Sequence, residues 1–459
     1  MAYLAIDLGT SFIKGAVLEL DPPRLSFVLR VPFPGALPSL PTGHWEYSPS
    51  EVVGAARNLL ESLSGLCAEP AGIVMCGQMH GLVLAKPTGQ ALSNCITWRD
   101  QRALETHLLG GGSYHDELRR RIGERLWMET GNELRPGFPL TALFWMAENG
   151  FLPEGPAVPA SLLDFVAASL CGVSPVTDPT NAAAHGALRL QSMLWHEELI
   201  RHLGLTSLAW PAIQPFHRPI GQIELAGRAV PFYTPVGDQQ CALAGAFLRE
   251  RELSLNISTG SQVAMLSPSY EAGEYQTRPY LDGDYLRTIT HIPAGRSLDL
   301  MMGLLREIPA AEGHSLRDPW GYATEGASRV GETDLRVDLS FYASIKGNRG
   351  ALENIGEENL TVGHLFRAAF QGMRDHYWEQ AHRLDPGGSW DRLVFSGGVA
   401  QKTPLLREMI CERFNKPGRV SVSSEDTLVG LLAMALVCDG RAGTIREATT
   451  TLDRSGVEM

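Results

Sequence analysis

An acidic residue near the middle of the chain carries the clearest chemical signal. Asp238 follows Gly237 at the end of an apolar run, and the small residues from Cys241 to Ala246 predict a tightly packed helix after it. An aspartate there lies near a helix N-terminus, where the helix dipole favours the ionised carboxylate, so it can act as a proton acceptor. The structural alternative is that Asp238 only caps its helix, a position that aspartate prefers.

Two turns built from glycine and hydroxyl residues offer groups that bind phosphate. They are Gly9-Thr10-Ser11 and Ser258-Thr259-Gly260-Ser261. Glycine lets the backbone approach a phosphate closely, and the hydroxyls add donors without charge. Each turn alone is a weak signal, but two such turns facing each other across a cleft would hold a polyphosphate chain.

Asp7 precedes the first of these turns. A bare carboxylate beside phosphates would be repelled, so the position suits a ligand of Mg²⁺, bound directly or through a water molecule. The alternative is that Asp7 caps its own turn, as aspartate often does.

A third turn, Ser396-Gly397-Gly398 followed by Gln401, predicts a flat glycine surface for the adenine and ribose of a nucleotide. It is not a G-x-G-x-x-G fingerprint, and the chain has no G-x-x-x-x-G-K-[ST] motif. A dinucleotide-binding fold and a P-loop enzyme are therefore not expected.

The residues suited to a polyhydroxylated ligand come from two short segments, Gln78-Met79-His80-Gly81 and Trp98-Arg99-Asp100. Glutamine and histidine supply donors and acceptors for hydroxyl groups, and a tryptophan face beside an aspartate is a recurring arrangement for carbohydrates. The structural alternatives are a core histidine at position 80 and a core aromatic residue at position 98.

The elements that must position these groups follow one order twice. Strand, glycine turn, strand, amphipathic helix and strand occupy residues 4–77, and the same order recurs in residues 255–398. We therefore predict two similar α/β domains that face each other across a cleft, with ligands at the carboxyl ends of the strands. We place the domains at residues 1–228 and 229–445, with a tail at 446–459 and mainly loops at 268–360.

Composition narrows the range of partners. The chain has 459 residues, a net charge of −12 and only 39 Lys and Arg residues, which argues against nucleic acid or an anionic membrane as partner. No apolar run reaches the ~18 residues of a membrane span. Seven scattered cysteines without a C-x-x-C motif fit a reducing compartment. We expect a cytoplasmic monomer or homodimer that binds small molecules.

Taken together, these motifs resemble the FGGY carbohydrate kinases. The resemblance rests on Ala5–Thr10, Gln78–Gly81, Trp98–Asp100, Gly237-Asp238 and Ser396–Gly398, and it runs from residue 3 to about residue 435. Within the family, Asp178-Pro-Thr-Asn181 and Leu255–Thr259 are most similar to the sedoheptulokinase branch, and the xylulokinases come next. The chain departs from many members in lacking a lysine within Pro139–Trp145, and Gln401 or Lys402 stands where glycerol kinases have an asparagine.

The resemblance implies two ribonuclease-H-like domains of the actin/hexokinase/Hsp70 ATPase superfamily and transfer of the γ-phosphoryl group of ATP to a sugar hydroxyl. It implies Asp238 as the catalytic base and Asp7 as the Mg²⁺ ligand. The implied acceptor site is Gln78, Met79, His80, Gly81, Trp98, Asp100 and Asp238. The implied ATP site is Gly9, Thr10, Ser11, Lys14, Ser258, Thr259, Gly260, Gly397, Gly398 and Gln401. Two functions of other classes stay open on the residues alone: an actin-like ATPase that phosphorylates nothing, and a sugar sensor.

Overall fold

The computed structural model describes residues 1–67, 69–342 and 347–455. Its two large sheets have seven and six strands. The strands up to residue 245 are β1 (Ala2–Leu8), β2 (Phe12–Leu20), β3 (Pro23–Pro32), β4 (Glu46–Tyr47), β5 (Pro70–Gly77), β6 (Val83–Ala85), β7 (Cys95–Ile96), β8 (Val158–Ala160), β9 (Val176–Thr177), β10 (Leu188–Arg189), β11 (Leu194–Trp195), β12 (Ala212–Ile213), β13 (Pro219–Leu225), β14 (Arg228–Tyr233) and β15 (Val236–Gly237). The helices of the same part are α1 (Pro49–Ser64), α2 (Tyr114–Glu129), α3 (Pro139–Glu148), α4 (Leu162–Cys171), α5 (Pro179–Ala184), α6 (Glu197–His202) and α7 (Asp238–Gly245).

The remainder of the chain builds the second sheet and its helices. Its strands are β16 (Glu252–Ile257), β17 (Gly260–Ser267), β18 (Gln276–Pro279), β19 (Tyr285–Pro293), β20 (Arg336–Asp338), β21 (Ala351–Glu353), β22 (Arg392–Ser396) and β23 (Gly418–Val420). Its helices are α8 (Gly295–Ala311), α9 (Pro319–Arg329), α10 (Val362–Leu384), α11 (Gly398–Lys402), α12 (Pro404–Phe414), α13 (Asp426–Cys438) and α14 (Ile445–Ser455).

The predicted repeat is confirmed by strand pairing. In the first sheet β1 pairs antiparallel with β2 and parallel with β5, and in the second sheet β16 pairs antiparallel with β17 and parallel with β22. The strand orders are β13-β14-β5-β1-β2-β3 and β18-β19-β17-β16-β22-β23. Each sheet therefore directs its two central parallel strands toward one edge, where ligands bind in α/β folds.

Helices α7 and α13 lie between the two sheets. One buried cluster joins residues of the first sheet such as Tyr3 and Val74 with residues of the second sheet such as Leu286 and Val394, through the side chains of both helices. Helices α1 and α4 cover the opposite face of the first sheet, and α10 and α12 that of the second. The layered arrangement buries both faces of the central strands, as expected for sheets with parallel strands at their centre.

The two interposed helices cross at backbone distance. A Cβ atom added to Gly430 of α13 would lie 2.0 Å from the carbonyl oxygen of Cys241 in α7, and one added to Gly245 would lie 1.8 Å from the carbonyl oxygen of Asp426. Only glycine permits such an approach, because any side chain would force the backbones apart.

Three expectations about the organisation need correction. The predicted boundary at 228/229 falls at a hairpin, since β13 and β14 pair with each other and the first sheet extends to Gly237. We therefore propose that the first domain includes β15. The stretch 268–360 is not mainly loops, because β18 and β19 complete the second sheet there. Helices α8 and α9 lie in the same stretch.

The predicted tail is also different. Residues 445–455 form α14, whose Ala448 and Leu452 are buried in the cluster around α13, while residues 456–459 lie outside the described part. Within the described ranges, no helix has both the length and the apolar content to cross a bilayer.

The helix crossing predicts a stability difference between two glycine substitutions. Gly430→Ala places a methyl group against the α7 backbone and should lower the free energy of unfolding by about 2 kcal/mol or more, as overpacking does. Gly303→Ala, in the exposed interior of α8 with no atom within 4 Å of the new methyl group, should raise it by up to about 1 kcal/mol through helix propensity. Urea unfolding of both variants checks this. Equal changes in the free energy of unfolding would contradict the close crossing of α7 and α13.

Candidate active site

The register of three parallel strands brings the predicted chemical groups together. Leu8 of β1 pairs with Gly77 of β5, and Gly77 pairs with Gly237 of β15. The residues that follow, Gly9, Gln78 and Asp238, therefore leave the sheet side by side at one edge. This is why segments that are far apart in sequence form one site.

Asp238 is the first residue of α7, and Gly237 occupies the N-cap position. The aspartate is therefore not an N-cap residue. Burial and the charge of Asp7 raise the pKa of Asp238 to about 7, although hydrogen bonds from the backbone of Gln239 and Asp238 and the charge of Arg278 lower it. A partly buried carboxyl that titrates near neutrality at a strand edge is poised to take up a proton.

Asp7 lies in the buried end of β1. The Thr427 hydroxyl donates to Asp7 Oδ2 at 2.7 Å, which ties the first sheet to the start of α13. Burial raises the pKa of the Asp7 carboxyl, and the charge of Glu425 adds to this effect, while Thr427 and Lys14 oppose it. The charges of Asp7 and Asp238 repel each other, and a divalent cation held by the Asp7 carboxylate would offset that repulsion.

The second sheet repeats the convergence. Asn256 of β16 pairs with Ser396 of β22, and their side chains are hydrogen-bonded at 3.0 Å. Gly397, with φ +87°, stands so close to the other turn that an added Cβ would lie 2.4 Å from the Ser258 Oγ atom. The predicted phosphate turn and nucleoside turn of this domain are therefore in contact.

The outer parts of these turns remain accessible. Thr259, Gly260 and Gly398 are exposed, as is Ser11 of the first domain, and Gly9 and Thr10 are partly exposed. Gln401 donates weakly to the Ser423 carbonyl at 3.4 Å. All of the predicted phosphate and nucleoside residues thus lie at the carboxyl edges of the two sheets.

Lys14 is engaged with the protein itself. Its Nζ atom lies 2.9 Å from Glu425 Oε2, and Arg30 binds the other oxygen of the same carboxylate. The prediction that Lys14 binds ATP therefore requires this ion pair between the domains to open or to be shared with the nucleotide. The Lys14 side chain is 27% exposed, so phosphate can reach it.

The segment from Gln78 to Gly81 is held firmly. Gln78 donates to the Gly9 carbonyl at 3.3 Å, Met79 is buried with its sulfur packed toward Gly237, and Gly81 packs against Leu162. His80 has φ +65°, a strained value for a residue with a side chain.

The ring of His80 stacks on Phe138 at 3.9 Å, and its Nδ1 atom lies 3.1 Å from the Ala184 carbonyl oxygen. Burial lowers the pKa of His80 to about 4. Its imidazole is therefore neutral at physiological pH and suited to hydrogen-bonding hydroxyl groups. The strained backbone and the partly exposed ring favour a functional role over the core-histidine alternative.

Trp98 and Asp100 have different environments. Trp98 is 42% exposed, so it is not a core aromatic residue, and the Arg99 guanidinium lies over its ring at 5.4 Å. Asp100 is buried, and its carboxylate accepts four hydrogen bonds, from the Trp45 backbone at 2.7 Å and from the Arg102 backbone, Nε and Nη2 at 2.8–3.0 Å. These donors occupy the four lone-pair sites of a carboxylate. The structure does not present Asp100 to a ligand, and we assign it to fixing the loop that carries Trp98.

Other residues of the site escaped sequence reasoning. Arg278 of β18 donates to both oxygens of Glu133 at 2.6 and 2.8 Å and also to the Gln239 side chain. Burial raises the pKa of Glu133, but Arg278 outweighs it and holds the pKa at about 2. Sequence patterns did not indicate Thr427 and Glu425 either. Their partners Asp7 and Lys14 are 420 and 411 positions away, and no local pattern marks such contacts.

Comparison with known proteins gives a family match over the first half of the chain. Residues 2–245 match the N-terminal domain of the FGGY family of carbohydrate kinases. Sedoheptulokinase of Mus musculus is 24% identical over 461 residues, covering 90% of this chain and 93% of its own length. Glycerol kinase of Thermus brockianus is 27% identical with 88% and 83% coverage, and xylulose kinase of Bacillus subtilis is 24% identical with 90% and 83% coverage.

Solved structures share the whole fold. A ligand-bound xylulose kinase from Lactobacillus acidophilus superimposes with a TM-score of 0.84 at 17% identity, covering 98% of this chain and 92% of its own. Plasmodium falciparum glycerol kinase with ADP has a TM-score of 0.83 at 17% identity and the same coverage. The fold is thus the two-domain actin/hexokinase-like arrangement that the sequence predicted.

The raised pKa of Asp238 predicts that its ionised carboxylate lowers the free energy of unfolding. A carboxyl whose pKa is raised on folding destabilises the fold as pH rises from about 4, its unfolded value, through about 7. Asp238→Asn removes this cost, so its stabilisation should be about 2 kcal/mol greater at pH 8 than at pH 5, at about 1.36 kcal/mol per pKa unit before screening.

Urea unfolding at the two pH values measures the difference. Asp299→Asn, a change at an exposed residue of α8, serves as the matched control. Its effect on the free energy of unfolding should be the same at the two pH values. A pH-independent effect of Asp238→Asn would contradict the assigned pKa.

Proposed function

Because the chain belongs to the FGGY family of carbohydrate kinases, we propose that it transfers the γ-phosphoryl group of ATP to a hydroxyl of a ketose, with sedoheptulose as the first candidate. The observation that carries the proposal is the shared edge of β1, β5 and β15. It places a carboxyl that titrates near neutrality beside one glycine-hydroxyl turn and beside the Gln78–Gly81 segment. Such a site can hold an alcohol, a phosphate and a base together.

Asp238 acts as the base. The acceptor hydroxyl donates to the ionised carboxylate, which takes up the proton as the oxygen attacks the γ-phosphorus in line with the departing ADP oxygen. Asp238 is partly exposed, so an acceptor can reach its carboxyl, and the neighbouring Gln239 side chain is fixed by Gln262, Thr288 and Arg278.

The phosphates lie between the two glycine-hydroxyl turns, Gly9–Ser11 and Ser258–Gly260, with Lys14 at their side. Mg²⁺, when bound, supplies charge neutralisation of the phosphate oxygens, and Asp7 is the carboxylate that would hold it, directly or through water. Thr427 orients that carboxylate through its hydroxyl. Gly397, Gly398 and Gln401 face the nucleoside.

The acceptor lies over Gln78, Met79 and His80, with Trp98 against one face of the sugar. Two features support sedoheptulose: the Asp178–Asn181 and Leu255–Thr259 segments, and the mouse relative with 93% of its length matched. Xylulose is the second candidate, favoured by the Gln-Met-His-Gly segment and by an equal identity to the Bacillus subtilis enzyme.

A coupled ADP-release assay tests the function. ATP and Mg²⁺ are supplied with sedoheptulose, xylulose, ribulose, glycerol, gluconate or fuculose, and kcat/KM is compared. We expect ADP only when an acceptor is present, with sedoheptulose highest. A higher value for another acceptor would replace sedoheptulose, ADP release without any acceptor would indicate an actin-like ATPase, and sugar binding without ADP release would indicate a sensor.

Removing the base should leave binding intact and stop turnover. Asp238→Asn should lower kcat about 10²–10⁴-fold, the usual contribution of general base catalysis, while the Kd for ATP stays within about twofold. Steady-state kinetics and calorimetric ATP titration measure the two quantities. Asp299→Asn is the matched control with unchanged kcat, and near-normal turnover of Asp238→Asn would exclude this residue as the base.

The pH profile should show the ionisation of the same carboxyl. Below about 7, the acceptor kcat/KM should fall tenfold per pH unit because only ionised Asp238 accepts the proton, and above about 7 it should be level. Raising the Mg²⁺ concentration should shift the acidic fall of kcat/KM to lower pH, because a cation near Asp7 favours the ionised form of Asp238. A flat profile from pH 5 to 8 would contradict the role.

A further inference from the structure

The strand that leads into Asp238 is short and is held from its open side by α5. Resting on the proposed function, we propose that Thr180 and Asn181 are positioning residues, which fix the backbone of β15 and thereby aim the Asp238 carboxylate at the acceptor hydroxyl. Strand β15 has only two residues, Val236 and Gly237, and its sheet partner is β5. Pairing on one side alone would leave such a short strand poorly fixed.

Two buried hydrogen bonds supply the other side. The Gly237 backbone N–H donates to Thr180 Oγ1 at 3.0 Å, and Asn181 Nδ2 donates to the Pro235 carbonyl at 3.0 Å. Thr180 and Asn181 are each 1% exposed. The bonds bracket Val236, and the first of them ends one residue before Asp238, so a shift of α5 is transmitted directly to the base.

The Thr180 hydroxyl is itself oriented. It donates its single proton to Asp178 Oδ1 at 2.8 Å, and the Thr180 backbone N–H donates to the same oxygen at 2.9 Å. Because the proton is directed to Asp178, a lone pair of the hydroxyl oxygen is left for the Gly237 N–H. A chain of fixed bonds thus runs from Asp178 through Thr180 and Gly237 to Asp238.

The Asn181 amide is held in a second way. Its Nδ2 atom also lies 3.5 Å from Oδ1 of Asp164, a fully buried residue of α4. The donor end of the amide therefore faces both Asp164 and Pro235. Helix α5 is in this way anchored to α4 on one side and to β15 on the other.

These contacts belong to the first domain, unlike those of the next residue. Gln239 is fixed by Gln262, Thr288 and Arg278 of the second sheet. Thr180 and Asn181 hold the backbone just before Asp238 independently of those contacts. The base therefore stays aligned with the acceptor segment Gln78–Gly81, which directly follows β5, the sheet partner of β15.

Misplacement of a reacting group by about 1 Å can cost about 10²-fold in rate. Thr180→Val keeps the shape of the side chain and removes only the hydroxyl, so it should lower kcat about 10- to 100-fold and leave the KM for ATP within about twofold. Thr180→Ser keeps the hydroxyl and should restore kcat to within about threefold of wild type. Thr130→Val is the matched control: it removes a buried hydroxyl just after α2, which bonds the Leu126 and Trp127 carbonyls at 3.1 Å and makes no contact with α5 or β15, and its kcat should be unchanged.

Hydrogen exchange of the peptide that contains Gly237, followed by mass spectrometry, supplies a readout independent of activity. In Thr180→Val the peptide should exchange faster, and in Thr180→Ser and Thr130→Val it should match wild type. Unchanged exchange in Thr180→Val would overturn the proposal, as would equal loss of kcat in Thr130→Val. Faster exchange with full kcat would also overturn it, because holding β15 would then not aim the base, whereas near-normal turnover of Asp238→Asn would be a failure of the proposed function instead.

Discussion

The backbone contact between α7 and α13 is the constraint on which the site depends. Gly430 meets Cys241, and Gly245 meets Asp426, at distances that no side chain would allow. Helix α7 begins with Asp238, and the second residue of α13 is Thr427, which binds Asp7. The crossing of the two helices therefore sets where the proposed base, Asp238, and the proposed metal ligand, Asp7, stand relative to each other. It also joins the two sheets into one core, because both helices pack against both.

The carboxyls of Asp7 and Asp238, which the proposed function needs, lower the stability of the fold. Burial raises the pKa values of Asp7 and Asp238, and among the residues that the structure describes neither carboxyl forms an ion pair that would offset its desolvation. Glu133 is as buried, yet Arg278 keeps its pKa low. The fold can thus stabilise a buried carboxylate with a guanidinium, and it does not do so for the two that face the cleft. An unpaired carboxylate costs stability but stays free to bind a cation or a proton, which is the pattern of a catalytic site rather than of a structural one.

The sequence predicted the repeated strand order, the convergence of the turns and the helix that begins at Asp238, because each rests on local patterns of glycine and apolar residues. Long-range pairing could not be predicted. Asp100 looked like a sugar ligand, but Arg102 and Trp45 take all of its acceptor sites. Lys14 was expected at the ATP site, but Glu425 lies against it from 411 positions away. The hairpin at Leu225 to Arg228 was misjudged as a domain boundary because the residues of a tight turn and of a linker are alike.

The division of contacts between the domains bears on how the reaction is completed. The acceptor segment, β15 and α5 all belong to the first domain, while the turns at Ser258 and Gly397 belong to the second. The side-chain contacts that cross between them near the site include Lys14 with Glu425, Thr427 with Asp7, and Arg278 with Glu133. On the proposal that Lys14 binds a phosphate of the nucleotide, that phosphate would compete with Glu425 for the same ammonium group and weaken this contact. Breaking the buried Arg278–Glu133 pair would leave a charge uncompensated in the interior, so we expect this contact to persist when a nucleotide binds.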